Sequence, residues 1–271
     1  NDKRLKIINS ELSDFNELKK SIDNDVDLVF HLAANPDISK AESCPTLDFD
    51  QGTVLTNNLL EAIRLKGVKK LIYTSGSGVY GEKNIIFDED YGPLIPISPY
   101  AANKIASEAL ISSYCHMFKI SAFVFRFANV VGKRQTHGVG YDFVNKLIKN
   151  KKVMEVLGDG NQSKSYIHVS DIVTAIFSVI EQEQDNLYDV FNVTTNDNIT
   201  VKKIAEITLN CFGYENTFLK YTGGDRGWNG DVPKIKFNSN KIRKKFNWSN
   251  KYESEEAITK SIMEIIEDHN K

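Results

Sequence analysis

A chain of 271 residues, 41% hydrophobic and 26% charged, can bury one large or two modest cores and is too rich in apolar residues to be a disordered polymer. Its 34 basic and 36 acidic residues leave a formal charge of -2, which gives no reason to expect a nucleic-acid partner; the Lys clusters at 149–152 and 241–245 read as solvated faces. No apolar run approaches the roughly 18 residues that cross a bilayer, so no membrane association is expected. Three widely spaced cysteines, Cys44, Cys115 and Cys211, suit neither a disulfide framework nor a zinc site and fit a reducing cytoplasm. His31, His137 and His168 do not fall at metal-ligand spacing, so no metal is expected, and His31, on an apolar run, reads as a core histidine.

In chain order, residues 5–9 (LKIIN) predict a short apolar strand and 14–22 a helix. Residues 26–32, rich in β-branched and aromatic side chains, predict a strand ending at Ala33, Ala34 and Asn35, where small residues let a ligand approach the backbone. An amphipathic helix follows over 54–65, with Leu55, Leu59 and Ile63 on one stripe and Gly67 stopping it. A strand over 69–74 empties into a Ser/Gly turn, and Pro99 opens a helix that runs to 117. Next come a strand at 121–127, helices at 141–149 and 171–181, a strand at 190–194, and helices near 201–211, 239–246 and 254–268. Strands alternating with helices imply an α/β fold, a doubly wound parallel sheet that binds ligands at the carboxyl ends of its strands. The loops GDGNQSKSYIHVSD (158–171) and GGDRGWNGDVPK (223–234) belong to a looser second half that reads as a smaller, lid-like part.

Tyr100 and Lys104 are spaced i and i+4, which puts both on one helix face. Such a pair can make a phenol basic. Lowering a Tyr from about 10 to about 7 needs roughly 4 kcal/mol, and one ammonium about 6 Å away at an effective dielectric of 20 supplies roughly 3. A second positive charge, such as an oxidised nicotinamide ring, would close the gap. A base of this kind suits removal of a hydroxyl proton while hydride leaves the same carbon.

HLAA (31–34), TSGSGVYG (74–81), SPYAANK (98–104) and RFANVVGKR (126–134), in that order, resemble the extended short-chain dehydrogenase/reductase family, the NAD-dependent nucleotide-sugar epimerases and dehydratases. Within it the likeness is to UDP-glucose 4-epimerases of the archaeal type, and it runs from the first residues to about Trp248. The resemblance implies a Rossmann-like NAD-binding domain over 1–132, rejoined by the strand near 190–194, and a domain over 133–271 that mainly binds the nucleotide sugar. No G-x-x-G-x-x-G loop stands before residue 30. The likeness begins partway into the fold, so an N-terminally truncated form of a longer protein is expected.

By this resemblance Tyr100 is the acid/base, and Lys104 orients it and holds the nicotinamide ribose. Leu32, Ala33 and Ala34 run beneath the dinucleotide, and Glu11 and Leu12 fall against the adenine. Asn129, Lys164 and Arg226 match positions that bind the diphosphate of a UDP-sugar, while Asp231 matches one on ribose or sugar hydroxyls. A homodimer built on the helices near 54–65 and 99–117 is implied too. The family's third catalytic group, a Ser or Thr hydroxyl, aligns with Gly76, which leaves the flanking Ser75 and Ser77 as candidates. The implied reaction is NAD-dependent epimerisation at C4 of a UDP-hexose through a 4-keto sugar. The alternatives are another nucleotide-sugar dehydratase or decarboxylase, or an inactive nucleotide-sugar-binding homologue. Ser77 and Gly78 stand where the dehydratases carry an acidic pair, which weighs against the first alternative; Gly76 favours the second.

Overall fold

The computed structural model of the chain describes residues 2–182 and 186–270. Asp14 opens helix α1 (Phe15–Ser21) by accepting the Asn16 and Glu17 amide protons. Strand β1 (Leu28–His31) follows, then a π-helical segment, Phe49–Val54, that runs directly into α2 (Leu55–Lys66). Gly67, at φ 76°, ends α2 in the left-handed conformation, and its N–H closes on the Ile63 and Arg64 carbonyls. Strand β2 (Lys70–Gly76) leads through a 3-10 turn, Ser77–Tyr80, and the two-residue β3 (Ile86–Phe87) to α3 (Pro99–Phe118). Beyond α3 come β4 (Ser121–Phe127), β5 (Asn129–Val131), α4 (Val139–Lys149), β6 (Val153–Val156), β7 (Ser163–Lys164), β8 (Tyr166–His168), α5 (Val169–Ile180) and β9 (Tyr188–Val193). Further on are β10 (Ile199–Thr200), α6 (Val201–Phe212), β11 (Phe218–Tyr221), β12 (Lys236–Phe237), α7 (Asn240–Phe246) and α8 (Ser254–His269).

The expected doubly wound α/β architecture is present. Four strands form one parallel sheet in the order β1-β2-β4-β9, with Tyr73 of β2 level with His31 of β1 and Val124 of β4. Both faces are covered by helices, which is why β2 and β4 read as near-continuous apolar runs. On one face Leu71, Tyr73, Ala122 and Val124 pack against α1, α2 and α3. On the other, Ile72, Phe123, Phe125 and Phe191 pack against α5 and α7. A third core joins α4, β6, α6 and α8 through Val144, Leu147, Met154, Ile204, Ile258 and Ile262. The second half of the chain is therefore divided: α5, β9 and α7 complete the sheet, and α4, α6 and α8 build a core of their own.

One predicted element is corrected. Residues 5–9 form no strand: Leu5 and Ile7 are 68% and 85% exposed, and no described strand lies beside them. An isolated extended segment has no ladder for its N–H and C=O groups and gains nothing by burial. The outer edge of β1 likewise carries no described strand, and Phe30 and Leu32 are exposed there. The other predicted elements are present, each boundary within two residues. Among the described residues no helix is long and apolar enough to cross a membrane.

Candidate active site

Ser98 caps α3 by accepting the Ala101 amide proton (3.2 Å), and Pro99 takes the first helical position, where no donor is needed. Tyr100 is thereby half-buried beside the carboxyl end of β2, and Lys104, one turn on, is buried. Lys104 Nζ donates to the Thr74 carbonyl (2.7 Å) and lies 5.5 Å from the centre of the Tyr100 ring and 4.9 Å from that of Tyr73. A backbone oxygen of the sheet thus fixes the ammonium. Burial pushes Lys104 down to about 8, against the pull of the Glu108 and Asp48 carboxylates. Burial also pushes Tyr100 up to about 12, and Asp48 acts in the same direction. Burial and the Asp48 charge thus both set the phenol against ionisation, the direction opposite to the one a neighbouring ammonium favours.

Gly76 ends β2 facing this pair. A Cβ placed on Gly76 would meet only Tyr100, at 3.9 Å from Oη and 4.0 Å from Cε1, which is ordinary contact. The position where a catalytic hydroxyl is expected does look at Tyr100 and has room for one. Ser75 is engaged elsewhere: its Oγ donates to Glu108 Oε1 (2.6 Å). Glu108 in turn is held by Arg126 in a two-pronged buried pair, Nε to Oε1 3.1 Å and NH2 to Oε2 2.7 Å. Arg126 also donates to Tyr80 Oη (3.0 Å), which donates to Asn192 Oδ1 (2.7 Å). Ser77 is half-buried at the start of the 3-10 turn, and its hydroxyl has no hydrogen-bond partner among the described residues. Sequence reasoning missed this network, although Glu108 lies four residues beyond Lys104 on the same helix face.

On the cofactor side, the level register of His31 with Tyr73 brings Leu32, Ala33 and Ala34 to the same sheet end as Thr74 and Lys104. Both alanines are half-buried and Leu32 is exposed. His31 is the core histidine the sequence suggested. Its Nε2 lies 2.9 Å from Thr56 Oγ1, and burial, then the Lys104 charge, push it down to about 4. Glu11 is exposed and accepts from Ser13 N and Oγ (3.3 and 3.1 Å), while Leu12 packs against the core beneath α1 and α2. No described contact links Glu11 or Leu12 to Tyr100 or Lys104.

Of the residues expected to hold the nucleotide sugar, the structure brings Lys164, Arg226 and Asp231 together. Lys164 Nζ is 2.5 Å from Asp231 Oδ1, and Arg226 NH1 donates to the Asp231 carbonyl (2.8 Å). Arg226 NH2 also pairs with Glu82 (2.8 Å), just past the 3-10 turn Ser77–Tyr80, and Asn229 N donates to Glu42 (3.1 Å). The same loop lies against the start of α3: a Cβ on Gly230 would be 3.3 Å from the Ile97 carbonyl and 3.4 Å from Ser98 Cβ. Asn129, at the start of β5, spends its side-chain amide on the Ser165 carbonyl (3.1 Å).

The chain is similar to known proteins in sequence and in fold. UDP-glucuronate 4-epimerase of Thermodesulfobacterium geofontis is 26% identical over 260 residues, covering 95% of this chain and 78% of that protein. The crystal structure of a UDP-galactose 4-epimerase is 32% identical with a TM-score of 0.86, covering 96% of this chain and 83% of its own. MoeE5 in complex with UDP-glucose and NAD is 25% identical with a TM-score of 0.86, covering 97% of this chain and 86% of its own. The sequence pattern of the NAD dependent epimerase/dehydratase family matches residues 1–194, and the chain belongs to that family.

Proposed function

We propose that the chain is an NAD-dependent nucleotide-sugar epimerase that inverts C4 of a UDP-hexose of the glucose/galactose type. The observation that carries the reading is the meeting of two parts at the start of α3: Tyr100 over a sheet-anchored Lys104, and the loop of Arg226 and Asp231 laid against Ile97 and Ser98. Lys104 and the small Ala33 and Ala34 at one sheet end fit the nicotinamide ribose of NAD, with Leu32 beside them and Glu11 and Leu12 toward the adenine. Bound NAD supplies hydride acceptance and return at C4 and, while oxidised, a positive ring charge. Tyr100 takes the proton of the 4-hydroxyl and, once the 4-keto sugar has turned over so that C4 regains hydride on its opposite face, returns the proton to that same oxygen. Lys104 keeps the phenol oriented and favours its ionised form, and the cofactor's charge adds to it against the desolvation of the phenolate. Ser77 is the substitute left free for the hydroxyl lost at Gly76, since Ser75 serves Glu108.

Residues 133–271 then mainly hold the nucleotide sugar. Lys164, Arg226 and Asn129 face its diphosphate, and Asp231 faces a ribose or sugar hydroxyl. A cytoplasmic homodimer is part of the same reading: α2 and α3 expose Leu65, Met117 and Phe118, and the three thiols are unpaired. Gly76 favours a second reading, a homologue that binds the nucleotide sugar without turning it over. The deciding experiment is conversion of UDP-galactose to UDP-glucose with NAD by the protein made from its full reading frame. Conversion supports the epimerase. No conversion with NAD bound redirects the search to other UDP-sugars or another reaction, and no NAD binding favours the second reading.

A further inference from the structure

Buried anchors stand on both sides of the point where β2 meets Tyr100. On the strand side, Ser75 Oγ donates to Glu108 Oε1 (2.6 Å). On the far side, Tyr80 closes the 3-10 turn, 1% exposed, with its hydroxyl accepting from Arg126 NH1 (3.0 Å) and donating to Asn192 Oδ1 (2.7 Å). Gly76 lies between these anchors, and a Cβ on it would meet Tyr100 Oη at 3.9 Å. Arg126 joins the anchors, because its Nε and NH2 hold Glu108 (3.1 and 2.7 Å), which stands on α3, the helix that bears Tyr100. The contacts therefore close a ring: from α3 through Glu108, Arg126 and Tyr80 to the turn, then through Gly76 back to α3 at Tyr100. The turn also rests on α3 directly, since a Cβ on Gly78 would be 3.5 Å from Ala101 Cβ.

The Tyr80 ring packs as a core aromatic, stacked on Phe87 with centroids 4.8 Å apart and edge-on to Tyr91, and a phenylalanine would fill the same space. The hydroxyl is what the core alone does not call for, because a buried hydroxyl is costly unless both donor and acceptor find partners. Arg126 and Asn192 are 5% and 0% exposed, so water cannot readily replace the hydroxyl for either. Asn192 Nδ2 has no hydrogen-bond partner, which leaves the Oδ1 bond from Tyr80 to orient that side chain. Burial pushes the Tyr80 phenol up to about 12, so it stays a neutral donor and is not a second acid/base. We infer that Tyr80 is a positioning residue: its hydroxyl, gripped by Arg126 and Asn192, fixes the 3-10 turn against α3 and so sets the gap between Gly76 and Tyr100. That the reacting oxygen occupies this gap rests on the function proposed above; the hold on the turn does not.

Tyr80→Phe in the full chain keeps the ring and removes the hydroxyl. Amide hydrogen exchange read by mass spectrometry follows the turn whether or not any sugar is turned over. The segment 77–81, whose Gly81 N–H closes on the Gly78 carbonyl (3.1 Å), is expected to exchange about tenfold faster in the variant, while α8, in the separate core of the second half, keeps its rate. With UDP-galactose as substrate, kcat is expected to fall about tenfold with KM held within about twofold, because a gap at the reacting atoms bears on the chemical step and not on the grip on the diphosphate. If Tyr80→Phe does not fold, Asn192→Ala, which removes the acceptor of the same hydroxyl, is read in the same way. Unchanged exchange in the turn, or a rise shared equally by α8, overturns the inference. So does an active variant whose kcat is unaltered. A wild type that turns over no sugar, with the rise in exchange confined to the turn, counts against the proposed function alone.

Discussion

The two sides of the candidate site hold their charges in opposite ways. Beside the sheet, Lys104 is buried and tied to a backbone carbonyl, and Arg126 is buried and clamped to Glu108. In the second-half loops, Lys164 and Arg226 keep part of their surface in water and rest on carboxylates of their own chain, Asp231 and Glu82. The first arrangement is a frame that need not move when ligand arrives. On the function proposed above the second is a set of cations in reserve, because a diphosphate would have to displace a carboxylate to reach them. The same kind of contact is thus architecture on one side and an exchangeable partner on the other, and what separates the two is burial.

The largest expected effect tests whether the frame exists for Tyr100. Tyr100→Phe should lower the epimerisation rate about a thousandfold, within the range of a lost general acid/base, while circular dichroism and NAD binding stay as in the wild type. Near-normal turnover would remove Tyr100 from the chemistry. Next in size, Glu108→Ala strands Arg126 without a partner in the interior and should reduce unfolding free energy by about 3 to 5 kcal/mol in urea titrations. A loss comparable to that of an exposed pair would mean that the frame is no more rigid than the loops.

The same contrast explains what was legible in the sequence. The sheet and its helices were readable because β2, β4 and α2 follow apolar patterns and because Asp14, Gly67 and Ser98-Pro99 mark helix ends with local chemistry. Tyr100 and Lys104 were readable because their relation is one helix turn. The run at 5–9 misled because apolar composition says nothing about whether a neighbouring strand is there to pair with. Arg126 was invisible for the opposite reason: its partners Glu108 and Tyr80 stand 18 and 46 residues away, and likewise nothing in a stretch such as PTLDFDQG announces that Gly52 will lie against Asn103 of α3. Ser75 and Ser77 could not be told apart from sequence, since only the packed structure commits Ser75 to Glu108.

That distinction leads to the third prediction. Gly76→Ser adds a hydroxyl where a Cβ meets Tyr100 at ordinary contact distance, with no clash to relieve. If the reacting oxygen sits there, one restored hydrogen bond to developing charge should raise kcat about tenfold or more. Ser75→Ala should leave kcat nearly unchanged. A fall in kcat for Gly76→Ser, or a large loss for Ser75→Ala, would mean that the turn is used differently from the geometry described.

The smallest effect probes the reserve cations. Glu82→Gln takes away the carboxylate that Arg226 NH2 holds, while the Arg226 contact to the Asp231 carbonyl remains. Because the pair is partly exposed, little stability should change. The UDP-sugar no longer has to displace an anion, so KM should fall a few-fold with kcat unaltered. The gain should shrink as salt is raised, since ions screen the competing carboxylate as they screen the ligand. A KM that rises instead would show that Glu82 orders the loop for the substrate and does not compete with it. In that case the loop, too, would belong to the frame, and the difference between the two sides of the site would be one of exposure alone.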